Sequence, residues 1–293
     1  MSKSTMRGVI AAIATPVGAD NAPDHARFMH LAEHLLDNGC DGLNVLGTTG
    51  EATSFSIEQR MGLMSAIAAS KLPLQRMMVG TGASATADAV RLTRHASELG
   101  FSAALVLPPF YYKGVPNEGV IRYLDAVVNS SQTLPVYLYN FPALSGVPYS
   151  IELLTMILAK FGSRIAGVKD SSGDMPYARQ AATLSPSFQV FPSSEATLLE
   201  ARSGVFAGCI SATANLNSEY CARAFHSGDE GAHKTAVGIR SLFDGLPLVP
   251  GIKALLAYQH KDERLASVAP PLMPFSATDL KSIQPRFESL RKA

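Results

Sequence analysis

At 293 residues, with 47% hydrophobic and 17% charged side chains, the chain has enough apolar material for a sizeable core and too much for disorder. Its 25 Lys and Arg nearly cancel 24 Asp and Glu, leaving a formal charge of +1, which argues against the basic stripe of a nucleic-acid or anionic-membrane binder. No apolar run approaches the roughly 20 residues of a membrane-spanning helix, so composition points to a soluble globular α/β protein.

The first apolar run, Val9-Ile10-Ala11-Ala12-Ile13-Ala14, follows Lys3 and Arg7 and so imitates a signal peptide. It is short, and Thr15-Pro16 stops it; it reads as a buried strand over 8–14. A helix over 24–38 follows, with Phe28, Leu31, Ala32 and Leu35 on one face and Gly39 as its stop. After a strand at 42–46, Ser56 and Gln59 have the spacing of a capping box for the next helix. A strand at 76–80 precedes a helix striped by Ala89, Leu92, Ala96 and Leu99 and ended by Gly100. Further strands read at 103–107, 134–139, 164–168, 188–191 and 204–210, with helix stops near Gly162 and Gly204. Beyond 227 the strand signal ends; 231–245, 250–260 and 276–291 read as helices, with Pro270-Pro271-Leu272-Met273-Pro274 as a linker.

Continuous apolar strands alternating with helices imply a parallel sheet covered on both faces. An open doubly wound sheet fits the alternation, but eight repeats favour a (β/α)8 TIM barrel. The barrel is expected over 1–227 and a C-terminal helical extension over 228–293. Cys40, Cys209 and Cys221, an odd number without metal-ligand spacing, suit a reducing cytoplasm better than a disulfide scaffold.

In such a barrel, chemistry belongs to polar residues that follow each strand. Lys169 closes the run Ile165-Ala166-Gly167-Val168. Desolvation at such a position favours a neutral amine, the form that attacks a carbonyl to give a Schiff base; the plainer reading pairs Lys169 with Asp170. Gly47-Thr48-Thr49-Gly50-Glu51 offers successive N–H groups and two hydroxyls ahead of a helix, a cradle for a small anion or simply a tight turn. Gly80-Thr81-Gly82 reads as a turn. Tyr111, Tyr112 and Tyr139 stand near strand ends, as proton carriers or as packing. His30-Leu31-Ala32-Glu33-His34 matches a zinc motif, but both histidines lie opposite the apolar face of their helix, so no metal is expected.

Together these motifs resemble the dihydrodipicolinate synthase / N-acetylneuraminate lyase family. Gly47–Glu51, Tyr139-Asn140-Phe141-Pro142 and Gly167-Val168-Lys169-Asp170 stand in its order and spacing. Ala12-Ile13-Ala14-Thr15-Pro16 and Ile210-Ser211-Ala212-Thr213-Ala214-Asn215 match as well, so the likeness covers nearly the whole chain. The resemblance implies a class I pyruvate aldolase, cofactor-free and metal-free, assembled as a homotetramer of tight dimers in the cytoplasm, with no nucleic-acid or membrane partner. It implies that Lys169 forms the imine with pyruvate and that Tyr139 moves protons over it. Thr48 would link Tyr139 to a Tyr112 supplied across the dimer interface. Thr48, Thr49, Gly47 and the Ile210 region would hold the pyruvyl end.

One position departs from the synthases of lysine biosynthesis. Where they usually carry an arginine for the carboxylate of aspartate semialdehyde, this chain has Leu144, in the lyase-like run Ala143-Leu144-Ser145-Gly146. Leucine offers no bidentate contact, although Arg7 or Arg179 is a conceivable substitute. Ser193, Ser194 and Glu195 stand where lyases of the family meet substrate hydroxyls. The expected second substrate is therefore one that yields or derives from a 2-keto-3-deoxy sugar acid. The alternatives are 4-hydroxy-tetrahydrodipicolinate synthase, a dehydratase using the same imine, and a non-catalytic sugar-acid-binding barrel.

Overall fold

A computed structural model describes residues 6–292; Lys3 lies outside them. Eight parallel strands run β1 (Gly8–Ala12), β2 (Gly42–Val45), β3 (Met77–Gly80), β4 (Ala103–Val106), β5 (Val136–Asn140), β6 (Ile165–Asp170), β7 (Gln189–Pro192) and β8 (Gly208–Ser211). They pair in the order β7-β6-β5-β4-β3-β2-β1-β8. The remaining seam is bridged where Ala207 N donates to Val190 O at 3.0 Å. The sheet is thus a nearly closed (β/α)8 barrel.

The intervening helices follow the expected pattern: α1 (His25–Asp37), α2 (Ile57–Ala69), α3 (Thr86–Leu99) and α4 (Asn117–Asn129) follow the first four strands. A short α5 (Pro142–Ser145) precedes α6 (Ile151–Phe161), then come α7 (Met175–Ala182), α8 (Leu198–Arg202) and α9 (Ala214–Ala222). The Ser56–Gln59 capping box forms as both reciprocal bonds. Gly100 ends α3 in the left-handed region, at φ 89°. Three more helices complete the chain: α10 (Glu230–Ser241), α11 (Leu248–His260) and α12 (Ala277–Lys292).

Strand pleating divides the apolar residues into two sets. Val9 and Ala11 point out against the helices, whereas Ile10, Ala12, Met78, Leu105, Tyr137, Tyr139, Phe191 and Ile210 fill the barrel interior. The inner set is what presents the site. His30 and His34 are exposed on α1, and no metal-holding group of side chains exists among the described residues.

Candidate active site

The ladder places Lys169 level with Tyr139 on β5 and with Phe191 on β7. Register partners share a face, and Tyr139 and Phe191 belong to the inner set. Lys169 therefore projects into the barrel, where it is 4% exposed, with Nζ 4.3 Å from the centroid of the Tyr139 ring. The next residue must point the other way. Asp170 accepts from Asn140 Nδ2 at 2.7 Å and from Ser172 Oγ at 2.9 Å, and burial pushes its carboxyl above the usual carboxylate range. The Lys169–Asp170 ion pair does not form, and Lys169 has no acidic partner among the described residues.

Tyr139 faces two groups. Its ring covers the amine, and its hydroxyl lies 3.2 Å from Thr48 Oγ1. Thr48 sits in the turn after β2, where Glu51 N donates to Thr48 O at 3.0 Å and Ala52 N to Gly47 O at 3.2 Å. Two non-glycine residues bracket this turn in the left-handed region, Leu46 at φ 53° and Glu51 at φ 54°. Asn215, in the run after β8, secures the neighbouring strand end: its Oδ1 accepts from Ala14 N at 3.0 Å and its Nδ2 donates to Ala12 O at 2.9 Å.

Beside the turn lies a cavity of about 250 Å³ whose walls include Thr48, Tyr139, Phe141, Leu144 and Arg60. Leu144, on α5, is 60% exposed. Arg60 was not anticipated. It shares the buried face of α2 with Leu63, Met64 and Ile67, a spacing that the sequence does display. Its Nη2 donates to the carbonyls of Gly80 and Gly82 at 2.9 and 3.2 Å, and burial pushes the guanidinium down to about 10. Gly80 ends β3, and Thr81 and Gly82 follow it outside both strand and turn; the two glycines admit the Leu46 carbonyl and the Leu107 amide.

Other anticipated residues are placed differently. Thr49 is buried behind the turn, and Ile210 lies fully buried in the barrel interior. Ser193 and Ser194 line a separate cleft of about 410 Å³ at the ends of β6 and β7, with Asp170, Arg179 and Arg240. Glu195 does not reach that cleft. Its carboxylate is fully buried, with Oε1 accepting from Ser211 Oγ at 2.6 Å and from Thr213 Oγ1 and Oε2 facing Arg240 Nη1 at 3.5 Å, so it ties the residue after β7 to the end of β8 and to α10 rather than facing a substrate hydroxyl. Neither arginine named as a substitute for Leu144 serves. Arg7 precedes β1 at the opposite end of the barrel, and both Arg179 Nε and Nη2 are held by Glu200 at 2.7 and 3.0 Å. Tyr111 and Tyr112 stack edge-on at 5.4 Å and are 77% and 75% exposed, outside this chain's own cavity.

The model of the dihydrodipicolinate synthetase family matches residues 5–280. A relative from Chloroflexus aurantiacus described as an uncharacterized DapA-like lyase is 31% identical over 294 residues, 97% of each chain. The crystal structure of dihydrodipicolinate synthase from Agrobacterium tumefaciens superposes with a TM-score of 0.90 at 26% identity, covering 97% of this chain and 99% of that one. YagE, a prophage protein of the dihydrodipicolinic acid synthase family from E. coli K12 solved with pyruvate, gives 0.87 at 26% identity, over 98% of this chain and 99% of its own.

Proposed function

The chain belongs to the dihydrodipicolinate synthetase family and is a lyase of the class I aldolase type; from that premise we propose that Lys169 forms an imine with pyruvate and that the second substrate relates to a 2-keto-3-deoxy sugar acid. The observation that carries the first half is Lys169 itself: inward, buried, without an acidic partner, and covered by the Tyr139 ring. The pyruvate bound by YagE is consistent with it.

The chemistry follows from these positions. The Lys169 amine adds to the pyruvate ketone, and the carbinolamine oxygen takes a proton and leaves as water, giving a protonated imine. In this reading Tyr139 OH carries that proton, and its 3.2 Å separation from Thr48 Oγ1 supports the role. The imine draws electrons from C3, so loss of a C3 proton gives an enamine whose carbon attacks an aldehyde. In the cleavage direction, the C4 hydroxyl gives up its proton and becomes the aldehyde as the C3–C4 bond breaks; the electron pair passes to the imine as an enamine, which takes a proton at C3 to restore the imine. Hydrolysis of the imine frees the amine.

The sugar-acid half rests on Leu144, an apolar side chain in the cavity wall, and on Ser193 and Ser194 in the neighbouring cleft. A second-substrate carboxylate set against Leu144 lacks a charge-assisted hydrogen bond, a deficit of about 1.5–3 kcal/mol or roughly 10–150-fold. The synthase reading is kept because the Agrobacterium tumefaciens relative carries that activity in its name. We also propose a cytoplasmic homotetramer, on family grounds.

Borohydride added with pyruvate should inactivate the protein and leave one reduced pyruvyl adduct on Lys169, absent from Lys169→Ala. Adduct on Lys113 or Lys253 instead would overturn the assignment. In a panel of 2-oxo acids, a polyhydroxylated one should release pyruvate faster than pyruvate condenses with aspartate semialdehyde. Efficient use of the semialdehyde would select the synthase.

A further inference from the structure

Lys253 is a lone cation inside an apolar helix. Its neighbours on α11, Pro250, Ile252, Ala254, Leu255 and Leu256, are buried, and its own side chain is 1% exposed. It is paired with Glu51, whose side chain is fully buried. Lys253 Nζ donates to one Glu51 oxygen and to Thr15 O at 2.9 Å; Ala269 N donates to the other Glu51 oxygen at 2.7 Å. Glu51 is thus held from two directions, by α11 and by the segment before α12, while Lys253 is itself tied to Thr15 in the run after β1.

Glu51 is also the residue that ends the Thr48–Thr49 turn, in a left-handed conformation that a non-glycine residue adopts at an energetic cost. Such conformations persist where the surroundings over-determine them. A packing role alone would not need charge, since a buried ion pair is often replaceable by apolar residues without loss of stability. A carboxylate, by contrast, fixes a turn by accepting on both oxygens at once. We propose that the Lys253–Glu51 pair is a positioning device for the proton relay, through which the C-terminal helices hold Thr48 at hydrogen-bond distance from Tyr139. Burial pushes the Lys253 ammonium down, and the Glu51 charge opposes that shift, so the pair is mutually dependent. The proposal rests on the imine chemistry assigned to Lys169, but it concerns proton transfer, not imine formation.

The test compares the wild type with Lys253→Met, Glu51→Gln and the double variant Lys253→Met/Glu51→Leu, reading thermal midpoint, borohydride trapping of pyruvate, and kcat. The single variants leave one buried polar group unpaired and should melt earlier; the double variant should recover most of that loss. The expected signature is in the double variant: trapping within about twofold of wild type and kcat at least ~10-fold lower, on the scale of a weakened proton transfer. A double variant that melts like wild type and turns over like it would overturn the proposal, reducing the pair to a structural tie. One that loses trapping in step with turnover would overturn it too, since the fault would lie at the amine. Failure of the wild type to trap pyruvate would instead sink the imine reading, so the two failures are distinguishable.

Discussion

Tyr139 separates two kinds of interaction in one side chain. Its ring face, 4.3 Å from Lys169 Nζ, attracts the cationic form of the amine and shelters it from water; its hydroxyl, 3.2 Å from Thr48 Oγ1, is the part able to exchange a proton. Tyr139→Phe keeps the first and removes the second. It should still form the borohydride-trapped adduct with pyruvate but turn over about 100-fold more slowly, the lower range for a lost general acid–base. Single-turnover trapping followed by mass spectrometry, set beside steady-state kcat, checks the split. A variant that turns over normally would remove Tyr139 from the relay and leave it a packing residue.

At the scale of the strand, Lys169 depends on what lies two residues before it. Gly167 faces the barrel interior, level with Tyr137 and with Gln189 on β7. A Cβ there would come within 2.1 Å of the Gln189 carbonyl oxygen and 2.9 Å of the Tyr137 ring. The carbonyl belongs to the β7 backbone and cannot yield without moving β6 or β7. Gly167→Ala should therefore destabilise by at least the ~1–3 kcal/mol typical of overpacking and slow imine formation by displacing Lys169; an unchanged thermal midpoint would refute this. The same strand shows where sequence reading stops. Its apolar run ends at Val168, so the strand is expected to end there too, yet β6 continues through Lys169 and Asp170 because backbone pairing to Asn140 and Pro192 ignores side-chain polarity. Conversely, the last strand is expected from 204, but its ladder starts at Gly208. Val205 and Phe206 are apolar without being paired to β1. Lys169, Tyr139 and Thr48 were legible because each follows an apolar run that ends at the barrel mouth. The direction of Glu195 was not, because it is set by hydroxyls 16 and 18 residues away on and after β8. Lys253 left a signal in its apolar surroundings, but its partner Glu51 is 202 residues distant, beyond any local pattern.

For the molecule as a whole, Tyr111 and Tyr112 pose a question of where the site ends. Two large aromatic side chains more than three-quarters exposed, near a 60% exposed Leu144, are costly to leave in water and characteristic of a contact surface. In the family reading, Tyr112 enters the partner's site and meets Thr48, so each active site of a dimer uses two chains. A symmetric dimer makes that contact reciprocal, which allows a test by subunit mixing. Lys169→Ala lacks the nucleophile, and Tyr112→Phe should lower kcat by about 100-fold. In a mixed dimer the Tyr112→Phe subunit keeps Lys169 and receives Tyr112 from its Lys169→Ala partner, which rebuilds one complete site, while the other site lacks both groups. Random pairing of equal amounts makes half the dimers mixed, so about a quarter of the wild-type activity per subunit should return on mixing. Differently tagged subunits, purified through both tags, would enrich the mixed dimer and raise the recovery to about half. If Tyr112 acted within its own chain, or not at all, the mixture would show no more than the average of its two parents, and the assembly would contribute no residue to the site.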